Sequence, residues 1–229
     1  MPRNVGVVIV AGGRGLRAGG DTPKQFQTIA GVPMVLRALR PFVSHPRVLH
    51  LVVVLTPEYC ESPPWWLKEV MGEGMSLVAG GKERMDSVEN GLAALPVECR
   101  LVLVHDAARP FVRREVIDAV LARVEAGDGA IAAEPVADTL KREGPHGIIV
   151  ETVPREGLWR AHTPQGFPRS MLEEAYQWAR REGIPGTDEA SLVERAGHRV
   201  FLVPDAGTNF KVTTTEDLEL AERIAAGLT

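Results

Sequence analysis

Cysteine is scarce: Cys60 and Cys99 are the only two in 229 residues. They lie far apart without partner histidines at ligand spacing, so neither a disulfide scaffold nor a zinc site is indicated, and a reducing cytoplasm suits the chain. No run approaches the ~20 apolar residues needed to span a bilayer, so a soluble protein is expected. The nearest imitation of a targeting signal is Arg3 followed by the apolar run from Val5 to Ala11. That run sits at the short limit of ~7–15 residues for a secretory core and meets arginines at once, so it reads better as a first strand buried on both faces. Positive charge is not in excess either. With 26 Lys and Arg against 30 Asp and Glu, the net charge is -4, which leaves no diffuse basic field for a nucleic-acid backbone. Neither a nucleic acid nor a membrane is expected as a partner. A Walker A loop is missing, because no Gly-Lys followed by Ser or Thr occurs at the required spacing from a glycine. No Asp-x-Asp pair occurs, which weakens a reading as a metal-dependent glycosyltransferase.

Apolar material is present in quantity, at 45% of residues, with 24% charged. That is enough for one large α/β domain covering 1–229. Strands are predicted at 4–11, 48–55, 76–79, 100–105, 129–133 and 199–203, and helices at 33–44, 83–95, 113–126, 169–183, 188–197 and 215–227. Strand and helix in alternation predict a mostly parallel sheet covered on both faces. One segment breaks the rhythm. Residues 138–159, "DTLKREGPHGIIVETVPREGLW", carry two short β-like runs around Gly144-Pro145-His146-Gly147 and no helix pattern. They read as a projecting hairpin arm, at about 137–159, whose Ile148, Ile149, Val150 and Val153 need cover that a lone hairpin does not provide. A second copy of the chain would provide it.

The stretch "VVIVAGGRGLRAGGDTPKQF", residues 7 to 26, runs from the first strand into a loop rich in glycine and cations. Glycine lets backbone N–H groups come close to a ligand, and Arg14, Arg17 and Lys24 add charge, so the loop suits phosphates. In an open parallel sheet, ligands bind beyond the carboxyl ends of the strands, which is where this loop starts. Gly13, Gly15 and Ala18 satisfy the dinucleotide fingerprint, but Gly19, Gly20 and Pro23 oppose the helix that motif needs, and no acid closes the next strand before Thr56 and Pro57. A nucleotidyltransferase loop remains.

The loop resembles the signature of 2-C-methyl-D-erythritol 4-phosphate cytidylyltransferases. The likeness continues through "GGKERMDSVENGL" (80–92), "VHDAARPFV" (104–112), "DTLK" (138–141), "HTPQGF" (162–167), "TDEASLVE" (187–194) and "NFKVTTTEDL" (209–218), in the family's order. The resemblance implies a Rossmann-like nucleotidyltransferase domain and attack by a sugar-alcohol phosphate on the α-phosphorus of CTP, with pyrophosphate leaving. A phosphate monoester is largely ionised at neutral pH, so that reaction needs no Ser-His-Asp relay. It needs two anions aligned and the developing charge neutralised.

Site residues follow from the resemblance. Arg17 and Lys24 match the cations that stabilise the transition state, whereas Arg14 reads as a surface cation. Ala11, Gly12, Gly13, Gly15, Gly81 and Ser87 match the CTP-binding positions. Asp106, which ends a strand, matches the acid that holds Mg²⁺ or another divalent cation against the nucleotide. Thr139, Arg155, Thr187 and Lys211 match the methylerythritol phosphate positions, with Arg109 as a further candidate. The family's arm reaches into the neighbouring subunit's site, which implies a homodimer with Arg155 acting in trans. Departures include Gly12 where many relatives have alanine, Lys82 where some have aspartate, and Thr208 where some have an acid, with Asp205 three residues earlier. His105 is expected to pack or hydrogen-bond, and Trp65 and Trp66 to anchor a short helix. The alternatives are a cytidylyltransferase for another polyol phosphate, such as ribitol 5-phosphate, and a non-catalytic nucleotide-binding module.

Overall fold

The computed structural model describes residues 2–13 and 23–227. Arg17 and Gly15, together with Arg14, lie outside the described residues. The chain runs β1 (Val5–Val10), β2 (Thr28–Ile29), β3 (Val32–Pro33), α1 (Met34–Val43), β4 (Val48–Leu55), α2 (Pro57–Glu61), α3 (Trp65–Val70), β5 (Met75–Ala79), α4 (Arg84–Ala93), β6 (Leu101–Asp106) and α5 (Arg114–Glu125). It continues through β7 (Gly129–Pro135), β8 (Leu140–Glu143), β9 (Ile149–Val153), β10 (Trp159–Pro168), α6 (Arg169–Glu182), α7 (Glu189–Arg195), β11 (Val200–Pro204) and α8 (Thr215–Gly227). Seven strands form one sheet in the order β11-β7-β10-β6-β1-β4-β5. Every pairing in it is parallel except those of β10, which runs antiparallel to both β6 and β7.

Side chains alternate across a strand, so a strand covered on both faces must be apolar at successive positions. In β1, Val5, Val7 and Ile9 join one cluster with Leu51, Val53 and Leu55 of β4 and Leu103 of β6. Helices α1 and α5 cover that face through Val35, Leu39, Phe42, Ile117 and Val120. Val8, Val52, Val54, Val102 and Val104 point the other way, against α4, α6 and α7. Helix α4 lies so close to β1 that a Cβ on Gly91 would come within 2.5 Å of Val8 Cγ1. A third cluster of Ile29, Met34, Phe111, Val212, Ala221 and Ala225 ties α8 to the start of α1.

All six predicted strands and six predicted helices are present, displaced by at most a few residues at their ends. The short β2–β3 pair was not anticipated, and within the seven-stranded sheet the strand that the sequence pattern hides is β10. Its "WRAHTPQGFP" lacks a run of β-branched residues and carries Pro164, Gly166 and Pro168, all signals against a central strand. It fits because its register slips between Ala161 and Gln165, where one residue of β7, Ala132, faces three of β10. The extra residues bulge out of the ladder, a common device beside functional sites. Of the tryptophan pair, Trp66 packs edge-on to Phe26 with centroids 5.5 Å apart, while Trp65, at the start of α3, is 70% exposed.

Strands β8 and β9 form their own two-stranded antiparallel sheet, apart from the main one. Ile148, Ile149 and Val150 are 62%, 60% and 57% exposed there, so three of the four apolar residues expected to need cover are open to solvent in the single chain, while Val153 is half-buried. Trp159, the last residue of the expected arm, already belongs to the main sheet, opposite Pro135.

Candidate active site

Strand order reverses around β1, which has β4 on one side and β6 on the other. The carboxyl ends of β1 and β6 therefore border the crevice where this sheet type binds ligands. Beyond them opens a cleft of about 320 Å³ lined by Arg84, Asp106, Arg109, Thr163, Gln165 and Lys211 among others. A larger hollow of about 410 Å³ lies at the amino end of β4, but its charges pair internally, His45 with Asp118 at 2.9 Å and Arg47 with Glu125 at 2.6 Å. The chemistry is concentrated in the smaller cleft.

Asp106, the last residue of β6, is its centre. Arg84 Nη2 donates to Asp106 Oδ1 at 3.2 Å, and Lys211 Nζ donates to Oδ2 at 2.7 Å. Burial alone would raise the Asp106 pKa, but the cations of Arg84 and Lys211 hold it well below the usual carboxylate range. The carboxylate is therefore ionised throughout the neutral range. Arg84 starts α4, and Lys211 follows the Gly207–Asn209 turn.

Behind Asp106 a polar chain fixes the strand end. The Asp106 amide donates to Thr163 Oγ1 at 3.1 Å, and His105 Nδ1 lies 2.9 Å from the same hydroxyl. His105 Nε2 is 3.0 Å from the Arg109 carbonyl, which only accepts, so the ring proton is on Nε2 and Nδ1 takes the Thr163 hydroxyl proton. Arg109 is 8% exposed and donates to the carbonyls of Asn209 and Ala161 at 2.8 and 3.2 Å. It braces the loops that wall the cleft. Gln165 bridges to α7, donating to Asp188 Oδ2 at 2.8 Å and accepting from the Ala190 amide at 3.0 Å.

Burial pulls the His105 imidazole down to about 4, from the 6.5 of a free histidine. The folded state therefore stays unprotonated between those values while the unfolded chain takes up a proton. Stability should be unaffected by this group above pH 6.5 and decline as pH falls from 6.5 to 4, by up to about 3 kcal/mol. Asp106 and Asp205, whose pKa values are lowered, add their own loss only below the ordinary carboxylate range. NMR titration of the ring checks this: His105 resonances should be flat down to pH 5, and a midpoint near 6.5 would remove the predicted slope.

Asp106, Arg109, Thr187 and Lys211, all anticipated from the sequence, line one cleft. Lys24 Nζ donates to the Val212 carbonyl at 2.6 Å, one residue along from Lys211. Gly12 lies against Ser87, whose Oγ would be 3.7 Å from a Cβ there, and among the described residues nothing lies within 4 Å of a Cβ on Gly13. Ser87 Oγ accepts the Gly81 amide at 3.1 Å and donates to the Glu83 carbonyl at 3.0 Å, so this side chain shapes the turn before α4. Ala11 follows β1 directly, its amide bonded to the Val54 carbonyl at 2.8 Å. Thr139 and Arg155 are exposed at the base of the arm, where Arg155 Nη1 donates to the Ala137 carbonyl, and neither lines this chain's own cleft. Asp205 is taken up by His162 Nδ1, Asn209 Nδ2 and the Ala206 amide at 3.1, 2.6 and 2.8 Å.

Sequence reasoning overlooked Arg84, His162, Thr163, Gln165 and Asp188. All five lie inside segments that carried the family likeness, and Arg84 is the one cation in "GGKERMDSVENGL" that faces an acid from a distant strand.

A family model described as IspD, 2-C-methyl-D-erythritol 4-phosphate cytidylyltransferase, matches residues 5–226. A 2-C-methyl-D-erythritol 4-phosphate cytidylyltransferase of Xylella fastidiosa is 44% identical over 98% of this chain and 100% of the relative. A bifunctional enzyme IspD/IspF of Desulforudis audaxviator is 42% identical over 96% of this chain, which spans 56% of that relative's length. The crystal structure of the 2-C-methyl-D-erythritol 4-phosphate cytidylyltransferase of Thermus thermophilus superposes with a TM-score of 0.80 at 35% identity, covering 96% of this chain and 98% of that one. That of Francisella tularensis does so at 0.83 and 28%, over 96% and 99%. The family-model match over residues 5–226, with 44% identity to a relative over its whole length, makes this chain a member of the IspD family of 2-C-methyl-D-erythritol 4-phosphate cytidylyltransferases.

Proposed function

We infer that this chain transfers the cytidylyl group of CTP to 2-C-methyl-D-erythritol 4-phosphate, giving 4-diphosphocytidyl-2-C-methyl-D-erythritol and pyrophosphate, in the non-mevalonate isoprenoid pathway. The observation that carries the reading is Asp106 held ionised between Arg84 and Lys211, in a cleft at the carboxyl ends of β1 and β6. The methylerythritol phosphate monoester is its own nucleophile, and the protein's task is to align it with the α-phosphate and offset the charge that builds up. Arg17 and Lys24 serve the α-phosphate and the leaving group. Ala11, Gly12, Gly13, Gly15, Gly81 and Ser87 surround the nucleotide, and Thr187 and Lys211 take the acceptor. Arg109 holds the cleft wall that both substrates meet.

The residues fit a divalent cation brought in with the nucleotide. Among the described residues no cluster of three His, Cys, Asp or Glu side chains forms a cage, and the cleft offers the Asp106 carboxylate beside cations suited to phosphates. Mg²⁺ is commonly held by one or two carboxylates together with substrate phosphates, and Asp106 supplies one. When bound, the ion would neutralise phosphate charge.

The same reading makes 1–229 one catalytic domain and 137–159 a dimerisation arm. The exposed Ile148, Ile149 and Val150 support a homodimer, and the location of Thr139 and Arg155 outside this chain's own cleft supports their service to the partner's site. The free Cys60 and Cys99 support a cytoplasmic setting. Among the described residues, no helix is long and apolar enough to cross a membrane.

Pyrophosphate release from all four nucleoside triphosphates with a panel of polyol phosphates tests the reading. CTP with methylerythritol phosphate should have the highest kcat/KM, by about tenfold or more over any other pair. Faster turnover of ribitol 5-phosphate would reassign the acceptor, and nucleotide binding without release would make the chain a binding module.

A further inference from the structure

Glu189 opens α7 and is only 1% exposed. A buried carboxylate is costly unless paired and hydrogen-bonded. Arg84 grips it from both Nη atoms, Nη1 to Oε1 at 2.7 Å and Nη2 to Oε2 at 3.0 Å, and the Tyr176 hydroxyl donates to Oε1 at 3.1 Å. The same Arg84 Nη2 also reaches Asp106 Oδ1. Four elements, α4, β6, α6 and α7, meet through these side chains, and the line ends on the acid at the centre of the cleft.

We infer that Glu189, steadied by Tyr176, is a positioning residue that acts through Arg84, locking the guanidinium so that one of its nitrogens holds the Asp106 carboxylate facing the bound nucleotide. The inference rests on the proposed cytidylyl transfer, whose CTP site Asp106 serves. The arginine side chain is flexible and remains 29% exposed, so Asp106 alone leaves it several competing positions. A planar, two-pronged grip on a buried acid removes that freedom, since the fork geometry of guanidinium and carboxylate fixes both plane and direction. Burial, reinforced by the Glu189 carboxylate, pushes the Tyr176 phenol well above its ordinary value, so it remains a donor. A pair serving stability alone would be replaceable by apolar side chains without loss. Here the guanidinium leaves the apolar cluster and ends at the cleft.

CTP affinity, measured by calorimetry with Mg²⁺ present, tests this on wild type, Glu189→Gln, Arg84→Ala and the double variant. Glu189→Gln should weaken CTP binding about tenfold while the KM for methylerythritol phosphate stays within about twofold. Added to Arg84→Ala it should cost less than about twofold more, because its route to Asp106 is already cut. Unchanged CTP affinity in Glu189→Gln, even with a lowered unfolding temperature, overturns the inference, as does a double variant whose loss is the product of the two. If Glu189→Gln does not fold, Tyr176→Phe decides. It keeps the ring and removes only the donor, and should weaken CTP about threefold in the wild-type background and not in Arg84→Ala. No change in the wild-type background overturns the inference. Wild type that binds no CTP overturns the functional reading and this inference with it, whereas wild-type binding with unaffected variants overturns the inference alone.

Discussion

Alanine in place of Lys24 should lower kcat by ~10²-fold or more, with a smaller change in CTP affinity, and alanine in place of Arg17 should do the same. Substitution at phosphorus moves negative charge onto the α-phosphate oxygens and the departing pyrophosphate. A preorganised cation is worth more against that developing charge than against ground-state CTP. Lys24 is held against the Val212 carbonyl beside Lys211, at the end of the glycine loop that leaves β1. In the proposed reaction its charge would serve the phosphates rather than the base. Arg17 lies outside the described residues, and its role follows from the family likeness of the loop. Steady-state release of pyrophosphate checks both, and near-normal turnover in both variants would remove them from the mechanism.

Mixing two inactive variants should restore activity. Lys24→Ala damages the nucleotide side of a site, and Arg155→Ala damages the arm that the proposed dimer lends to its partner. Each homodimer then carries a lesion in every site. In a mixed dimer both lesions fall in one site and the other is intact, so random exchange at equal amounts should restore about a quarter of all sites, as two-fold symmetry requires. Mixing under conditions that block exchange is the control and should leave activity low. Exchange without recovery would return Arg155 to its own subunit and end its role in trans.

The fold was legible wherever the residues that define an element are neighbours in the chain. Val5, Val7 and Ile9 facing one way and Val8 the other follow from alternation, and so the doubly covered strand could be read directly. Strand β10 could not, because Pro164 and Gly166 deny it a strand pattern and its place between β6 and β7 depends on partners from other parts of the chain. The arm's unmet apolar surface was legible from composition, since a two-stranded hairpin has no second face to bury.

The site divides along the same line. Sequence by itself determined the family, the glycine-rich cationic loop, the acid closing β6 and the candidates Thr187 and Lys211, because each sits in a short segment of distinctive composition. Only the tertiary structure decided that Arg109 is a brace 8% exposed, and that Asp205 is occupied by His162 and Asn209. It alone brought Arg84 between Asp106 and Glu189, separated from it by 22 and 105 positions in the chain. The physical reason is that an ion pair depends on distance in space, and an arginine's own neighbours in sequence do not say which buried acid it will meet.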